Sequence, residues 1–259
     1  MPVQVERSEA GVVTITLDSP ERRNALDEEL SAQLRDAVRG VASDPGARCV
    51  VLTGAGRAFC SGADLGEFRS QRTGGVLPRR EMLGDYYRTF LDVRDLAVPT
   101  IAAVNGPAIG AGLNLALVCD LRIAGASARF GATFVRLGIH PGGGATYMLS
   151  RLLGPARAAE MLLSGEIVNA PRALELGLVN RLVEDAELAA SAAALAATIA
   201  GNAPRAVRAT KRALRIALDA DMATMLEVEG LAQAATQESA DAGEGWAAFR
   251  ERRAPRFAE

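Results

Sequence analysis

Two short apolar runs, CVVLT at residues 49–53 and TIAAV at residues 100–104, each lead directly into a glycine-bearing turn. TGAGRAFCSGADL (53–65) follows the first, and VNGPAIGAGLNLALVCD (104–120) follows the second. Five apolar residues without alternation fit a strand covered on both faces, as in a parallel sheet. A third run, LRIAG at residues 121–125, comes straight after the apolar helical pattern of AGLNLALVCD. Strand, glycine turn and helix in succession imply right-handed crossovers and an α/β core.

The flanking sequence is consistent with that frame. VQVERSEAG leads into VVTITL with alternating polarity around Gly11, which predicts a hairpin. SPERRNALDEEL then changes period: Leu26, Leu30, Leu34, Val38 and Val41 fall on one helical stripe, with Asp27 placed as N-cap and Asp44 to Gly46 as the break. The polar, glycine-bearing stretch from Arg69 to Pro78 predicts a mobile loop. Gly154-Pro155 and Pro171 each start a helix, and LGLVNRLVE holds a last short strand. From Glu187 onward, three helices are predicted whose apolar faces need the core or another subunit to cover them.

A chain of 259 residues with 49% hydrophobic residues suits one large domain or a core with an appendage. A net charge of -2 gives no sign of a nucleic-acid or membrane partner. Cys49, Cys60 and Cys119 form no CxxC pair, which points to small core residues in a reducing compartment rather than disulfides or a zinc site. No apolar leader and no run of about 18 apolar residues is present, so a cytoplasmic protein is expected. The basic stretch RERRAPRF (250–257) reads as a solvated helix end or as a contact for a phosphorylated ligand.

A turn that opens a helix presents unpaired N–H groups, and glycine lets the backbone approach a ligand closely. Two such turns side by side could aim two N–H groups at one oxygen and form an oxyanion hole. Other glycine motifs do not fit: GAGRAF is not GxGxxG, and neither GxxxxGK[ST] nor GxSxG occurs. Tight strand–helix packing would explain either turn alone.

Taken together and in order, five segments resemble the crotonase (enoyl-CoA hydratase/isomerase) superfamily along nearly the whole chain. They are SPERRNALD, GRAFCSGADL, VNGPAIGAGLNLALVCDLRIA, ARFGATFVRLGIHPGGGATYMLSRLLG and SGEIVNAPRALELGLVNRLV. The resemblance implies a crotonase-like ββα spiral core over residues 1–200, with a C-terminal helical trimerisation segment over 201–259. It implies an acyl-CoA thioester as substrate, no further cofactor and no metal, and a homotrimer or dimer of trimers. The N–H groups of Ala63 and Ala111 would be the oxyanion donors. Leu26, Ser61, Asp64, Leu65 and Gly110 would lie along the CoA arm, with Phe249 and Arg252 of a neighbouring subunit's C-terminal helix covering the adenine end.

The chain departs from the family where hydratases carry two glutamates. Asn114 and Phe134 occupy those positions. Neither side chain exchanges a proton near neutral pH, so standard hydration is not expected. His140 is the candidate replacement acid/base, its other reading being a hydrogen bond at the helix start formed by Gly142 to Ala145. Asp64 is a weaker candidate better suited to a turn-forming or capping role, and Glu67, Glu81 and Asp85 sit in or near the predicted mobile loop, from which they could swing into the pocket. Phe134 and Tyr147 read as an apolar lining of the acyl pocket or as core. Three functions compete: a lyase or isomerase acting on enoyl-CoA, a catalytically silent acyl-CoA-binding protein, and another family reaction such as thioester hydrolysis. An NAD-linked dehydrogenase is disfavoured by the missing fingerprint.

Overall fold

The structure is a computed structural model that describes residues 1–70 and 74–258. Strands β1 (Val3–Arg7) and β2 (Val12–Leu17) form the expected antiparallel hairpin, with Val3 opposite Leu17 and Arg7 opposite Val13. Helix α1 (Glu28–Ala42) follows. Asp27 caps it by accepting the Leu30 N–H at 2.7 Å, and Leu30, Leu34, Val38 and Val41 are buried along its inner stripe. Next come β3 (Cys49–Gly54), α2 (Leu65–Ser70), α3 (Val76–Asp95) and β4 (Thr100–Val104).

The second glycine turn contains a strand of its own, β5 (Pro107–Ile109), before α4 (Ala111–Leu117). Then follow β6 (Leu121–Gly125), β7 (Arg129–Gly131), α5 (Ala145–Leu153), α6 (Pro155–Ser164), β8 (Ile167–Asn169), α7 (Ala170–Leu176) and β9 (Arg181–Val183). The chain ends in α8 (Leu188–Ala200), α9 (Pro204–Ala217), α10 (Met222–Gln237) and α11 (Ala240–Glu251).

The main sheet has six strands in the order β1-β2-β3-β4-β6-β9, parallel from β2 onward. Side-chain alternation sends Val50, Leu52, Ala102 and Val104 to one face, where α1 and α4 contribute to a large core. Cys49, Val51, Ile101, Ala103 and Ile123 go to the other, where Leu188, Ala192, Ala196 and Ala200 of α8 cover them. The apolar runs are uninterrupted because both faces are buried. A second, three-stranded sheet, β5-β7-β8, lies beyond the carboxyl end of β4 and carries the site.

Two expectations are corrected. The loop placed over 69–78 is shorter: α2 continues through Ser70, and α3 begins at Val76 with Pro78 in its first turn. Residues 71–73 of that stretch lie outside the described residues. The C-terminal region contains four helices rather than three, because Asp221 and Ser239 each act as an N-cap, accepting the N–H of Thr224 and Ala242. Helix α9 is held to the body by a buried lysine: Lys211 Nζ donates to the Val98 carbonyl at 2.7 Å and pairs with Asp120 at 2.6 Å. Beyond that anchor the last helices expose Leu226, Leu231, Trp246 and Phe249. Among the described residues, no helix is long and apolar enough to cross a membrane.

Helix α4 meets the turn after β3 at Gly112, where a Cβ would lie 2.0 Å from the Cys60 carbonyl oxygen. A side chain there forces two backbones apart. Gly112→Ala is expected to cost about 3 kcal/mol of stability, the upper part of the overpacking range. Urea denaturation of the variant checks this, and an unchanged midpoint would contradict the packing described.

Candidate active site

The first glycine turn is bound to the second by main-chain hydrogen bonds. Cys60 N–H donates to the Pro107 carbonyl at 3.0 Å, and Ile109 N–H donates to the Cys60 carbonyl at 3.1 Å, so the turn after β3 extends alongside β5. Two residues later, Gly62 passes close to the start of α4. A Cβ on Gly62 would lie 2.7 Å from the Ile109 carbonyl oxygen and 3.6 Å from the Ala111 nitrogen, and its φ is +104°. On its other side, Leu26 N–H donates to the Gly62 carbonyl at 2.7 Å and Asp64 N–H to the Leu26 carbonyl at 3.3 Å. These bonds fix the backbone on both sides of Ala63, with Gly62 against the start of α4 at Ala111. Among the described residues, neither the Ala63 N–H nor the Ala111 N–H has a protein acceptor.

Two buried or half-buried asparagines staple the first turn, and neither was singled out from the sequence. Asn24 is fully buried. Its Nδ2 lies within hydrogen-bond reach of the carbonyls of Ala55 (3.0 Å), Ala58 (2.8 Å) and Phe59 (3.3 Å), and its Oδ1 accepts the Ser19 N–H. Its φ of 54° lies in the left-handed region, which asparagine tolerates better than most residues. Asn105 donates to the Gly56 carbonyl at 3.0 Å and accepts the Gly54 N–H at 3.2 Å. The only advance signal was an asparagine beside each turn-forming segment, which is too common to single out.

The residues expected along the CoA arm divide by burial. The Leu26 side chain is buried in the core, so its backbone does the work at the turn. Ser61 is half-buried and Leu65 is exposed. Asp64 takes the capping role: its Oδ1 accepts the Glu67 N–H at 2.9 Å and its Oδ2 pairs with Arg22 at 2.7 Å, while Arg22 also pairs with Asp27. The Glu67 N–H first, then Arg22, hold the Asp64 carboxyl below the ordinary carboxylate range. The stabilisation from this cap is therefore present above that range and lost as pH falls through the depressed value. Glu67 is engaged too, its Oε2 accepting the Glu28 N–H at 3.1 Å. Phe249 and Arg252 lie exposed at the end of α11.

Around the second turn, Asn114 is buried one helical turn beyond Ala111. Its Nδ2 donates to the Gly142 carbonyl at 2.9 Å, while its Oδ1 has no partner among the described residues. Phe134 is half-buried on a 3-10 turn (Thr133–Leu137), and its ring end lies 4.0 Å from where a Gly110 Cβ would stand. His140 is exposed and, among the described residues, makes no hydrogen bond, so the helix-start role considered for it is not seen. Tyr147 is corrected from a pocket-lining role: it is exposed, bonds Asp219 at 3.1 Å and stacks under Arg151. All three cysteines are buried, and burial pushes each thiol up to about 12, which leaves no thiolate nucleophile near neutrality. Asp85 is exposed on α3. A cleft of about 910 Å³ opens beside the first half of α3, with Val76, Arg79, Arg80, Glu81, Leu83 and Tyr87 among its walls. Among the described residues, no group of three or more His, Cys, Asp or Glu side chains is arranged to hold a metal ion.

The model of the enoyl-CoA hydratase/isomerase family matches residues 7–259. The chain belongs to that family. It is 40% identical to the (E)-benzylidenesuccinyl-CoA hydratase of Thauera aromatica, over 99% of each chain. It is 38% identical to the 1,2-epoxyphenylacetyl-CoA isomerase of Escherichia coli K12, over 96% of this chain and 95% of the other. The solved structure of an enoyl-CoA hydratase from Bacillus anthracis superposes with a TM-score of 0.94 at 37% identity, covering 99% of both chains. The crotonase fold expected from the five segments is thus the fold of this chain. Similar relatives bear both hydratase and isomerase names, so family membership does not choose between the two reactions.

Truncating Asn24 leaves buried carbonyls without a donor. Asn24→Ala is expected to cost about 1–3 kcal/mol of stability. Equilibrium denaturation measures the loss, and a variant as stable as the parent would remove Asn24 from its stapling role.

Proposed function

We propose that this protein binds an acyl-CoA thioester and catalyses a hydratase- or isomerase-type reaction through a thioester enolate. The observation that carries the reading is the pair of unengaged N–H groups, Ala63 and Ala111, brought together by the Cys60–β5 pairing. The thioester oxygen sits between them, with Gly110 at the turn beneath. As charge moves from the α-carbon onto that oxygen, the two fixed dipoles bind it more tightly than they bind the neutral carbonyl. That differential binding lowers the barrier.

Leu26, Ser61, Asp64 and Leu65 line the path of the CoA arm. Phe249 and Arg252 from a neighbouring subunit cover its adenine end, in a trimer or dimer of trimers built on the apolar residues that α10 and α11 expose. This assigns residues 1–200 to the acyl-CoA-binding core and 201–259 to assembly. The thioester is the substrate and no further cofactor is invoked. The cytoplasm, where acyl-CoA is made and used, is the proposed location.

Asn114 and Phe134 favour a second reading, a silent acyl-CoA binder, because no carboxylate stands at either position. Titration calorimetry with butyryl-CoA and loss of conjugated-enone absorbance with crotonyl-CoA separate the two. Binding without turnover of any enoyl ester favours the silent binder, and absence of binding at micromolar concentrations sinks both. Ala63→Pro deletes one donor N–H. It is expected to lower kcat by about 100- to 1000-fold in a folded protein. Undiminished turnover would remove Ala63 from the oxyanion site.

A further inference from the structure

With both family carboxylates absent, the site needs another proton-transferring group, and the structure brings one to it on α3. Tyr87 and Phe90 lie one turn apart on the same helix face, with ring centroids 5.9 Å apart. Both press against the glycine run after Pro141. A Cβ on Gly142 would lie 2.3 Å from the Tyr87 hydroxyl oxygen, and one on Gly143 would lie 2.5 Å from the Phe90 ring and 2.7 Å from Asn114 Nδ2. The Gly142 carbonyl is the group that Asn114 Nδ2 holds. Tyr87 and Asn114 therefore converge on the same two residues. Tyr87 also forms a wall of the 910 Å³ cleft, and through Gly142 and Asn114 its hydroxyl is connected to α4, one helical turn from Ala111.

We propose that the Tyr87 hydroxyl transfers the proton at the α-carbon of the bound thioester. The proposal rests on the oxyanion reading above. In hydration, a water oxygen forms a bond to the β-carbon, and the double-bond electrons move through the α-carbon onto the thioester oxygen. The Tyr87 O–H bond breaks as the α-carbon takes that proton and the carbonyl reforms. The phenolate then accepts the proton released by the added water, so one water is consumed and Tyr87 is restored. With a 3-enoyl ester the ionised fraction of Tyr87 reacts instead: the phenolate removes an α-proton, the electron pair moves onto the thioester oxygen, and the hydroxyl so formed returns the proton to the γ-carbon as the carbonyl reforms. Half-burial raises the Tyr87 pKa, opposed by a hydrogen bond from the Gly143 N–H, and so keeps the hydroxyl protonated as a donor. Arg79, Arg80 and Glu81 face the same cleft, and Tyr86 adjoins Tyr87 on the helix.

The test is Tyr87→Phe, which keeps the ring and removes the hydroxyl, assayed with crotonyl-CoA and with a 3-enoyl-CoA. The expected result is a kcat at least about 100-fold lower, the smaller end of general acid–base contributions. KM, the affinity for butyryl-CoA and the melting temperature stay close to those of the parent, a pattern that a packing role would not give. Turnover within about threefold of the parent overturns the proposal, as does loss of turnover in His140→Ala with Tyr87→Phe active. A parent protein that binds butyryl-CoA but turns over neither substrate also overturns it while leaving the binding reading intact. No binding at all sinks the oxyanion reading beneath it. Should Tyr87→Phe fold poorly, 3-fluorotyrosine at position 87 keeps the shape and lowers the phenol pKa. The high-pH limb of kcat with crotonyl-CoA then moves to lower pH, and a limb that stays in place overturns the assignment.

Discussion

The short backbone pairing between Cys60 and β5 is the interaction on which the site depends. Each of the two glycine turns ends a buried strand of the main sheet, and neither strand fixes where its turn goes next. The bonds from Cys60 to Pro107 and Ile109 set the turns edge to edge, and Gly112 then lets α4 begin against the Cys60 carbonyl with no side chain between. Main-chain hydrogen bonds are short and directional, so they fix the position of the following N–H groups more tightly than side-chain packing would. Asn24 and Asn105 brace the turn from behind, where several carbonyls would otherwise be buried without donors. The proposed oxyanion role asks for this: amides fixed by the protein itself, whose dipoles stabilise developing charge without reorganising.

Asn114 is more than a missing acid. Its amide donates to the Gly142 carbonyl, and an ionised carboxylate at the same place could only accept. It would face that carbonyl oxygen with like partial charge in a buried setting. The conformation of the 142–144 run is therefore matched to an amide at position 114, and it sets the Gly142 backbone against Tyr87. The Asn114 amide and the approach of the tyrosine belong to one local arrangement. Phe134 places the end of an apolar ring near Gly110, and in the proposed site such a neighbour excludes water and strengthens the dipoles acting there.

The frame of the molecule could be read from residues because its strands are long enough to show a pattern. Residues 49–53, 100–104 and 121–125 are uninterrupted apolar runs, and the Asp27 cap with its leucine stripe has a helical period. The second sheet was not legible. Its strands have three residues each, and PAI, RFG and IVN carry no periodicity that could separate a strand from a turn. The fourth C-terminal helix was missed because its boundaries are marked by capping side chains within a continuously helix-favouring composition, not by proline. Tyr87 went unnoticed for another reason. Its place in the site depends on contact between α3 and a segment more than fifty residues later, and local sequence carries no trace of that approach.

Helix α3 is attached unevenly. Its buried residues, Thr89, Phe90 and Val93, all lie in its second half, and Arg35 reaches across to Thr89 at 3.1 Å. The first half, from Val76 to Gly84, forms the cleft wall and buries no side chain fully. Stability in a folded chain follows buried apolar contact, so the two halves experience different constraints. Substitutions in the first half reshape the cleft at little cost to the core, whereas the second half must keep Phe90 against Gly143 and Tyr87 against Gly142. In the proposed reaction, this division separates two tasks along one helix: the loosely held end shapes the cleft, and the anchored end holds the proton donor in place.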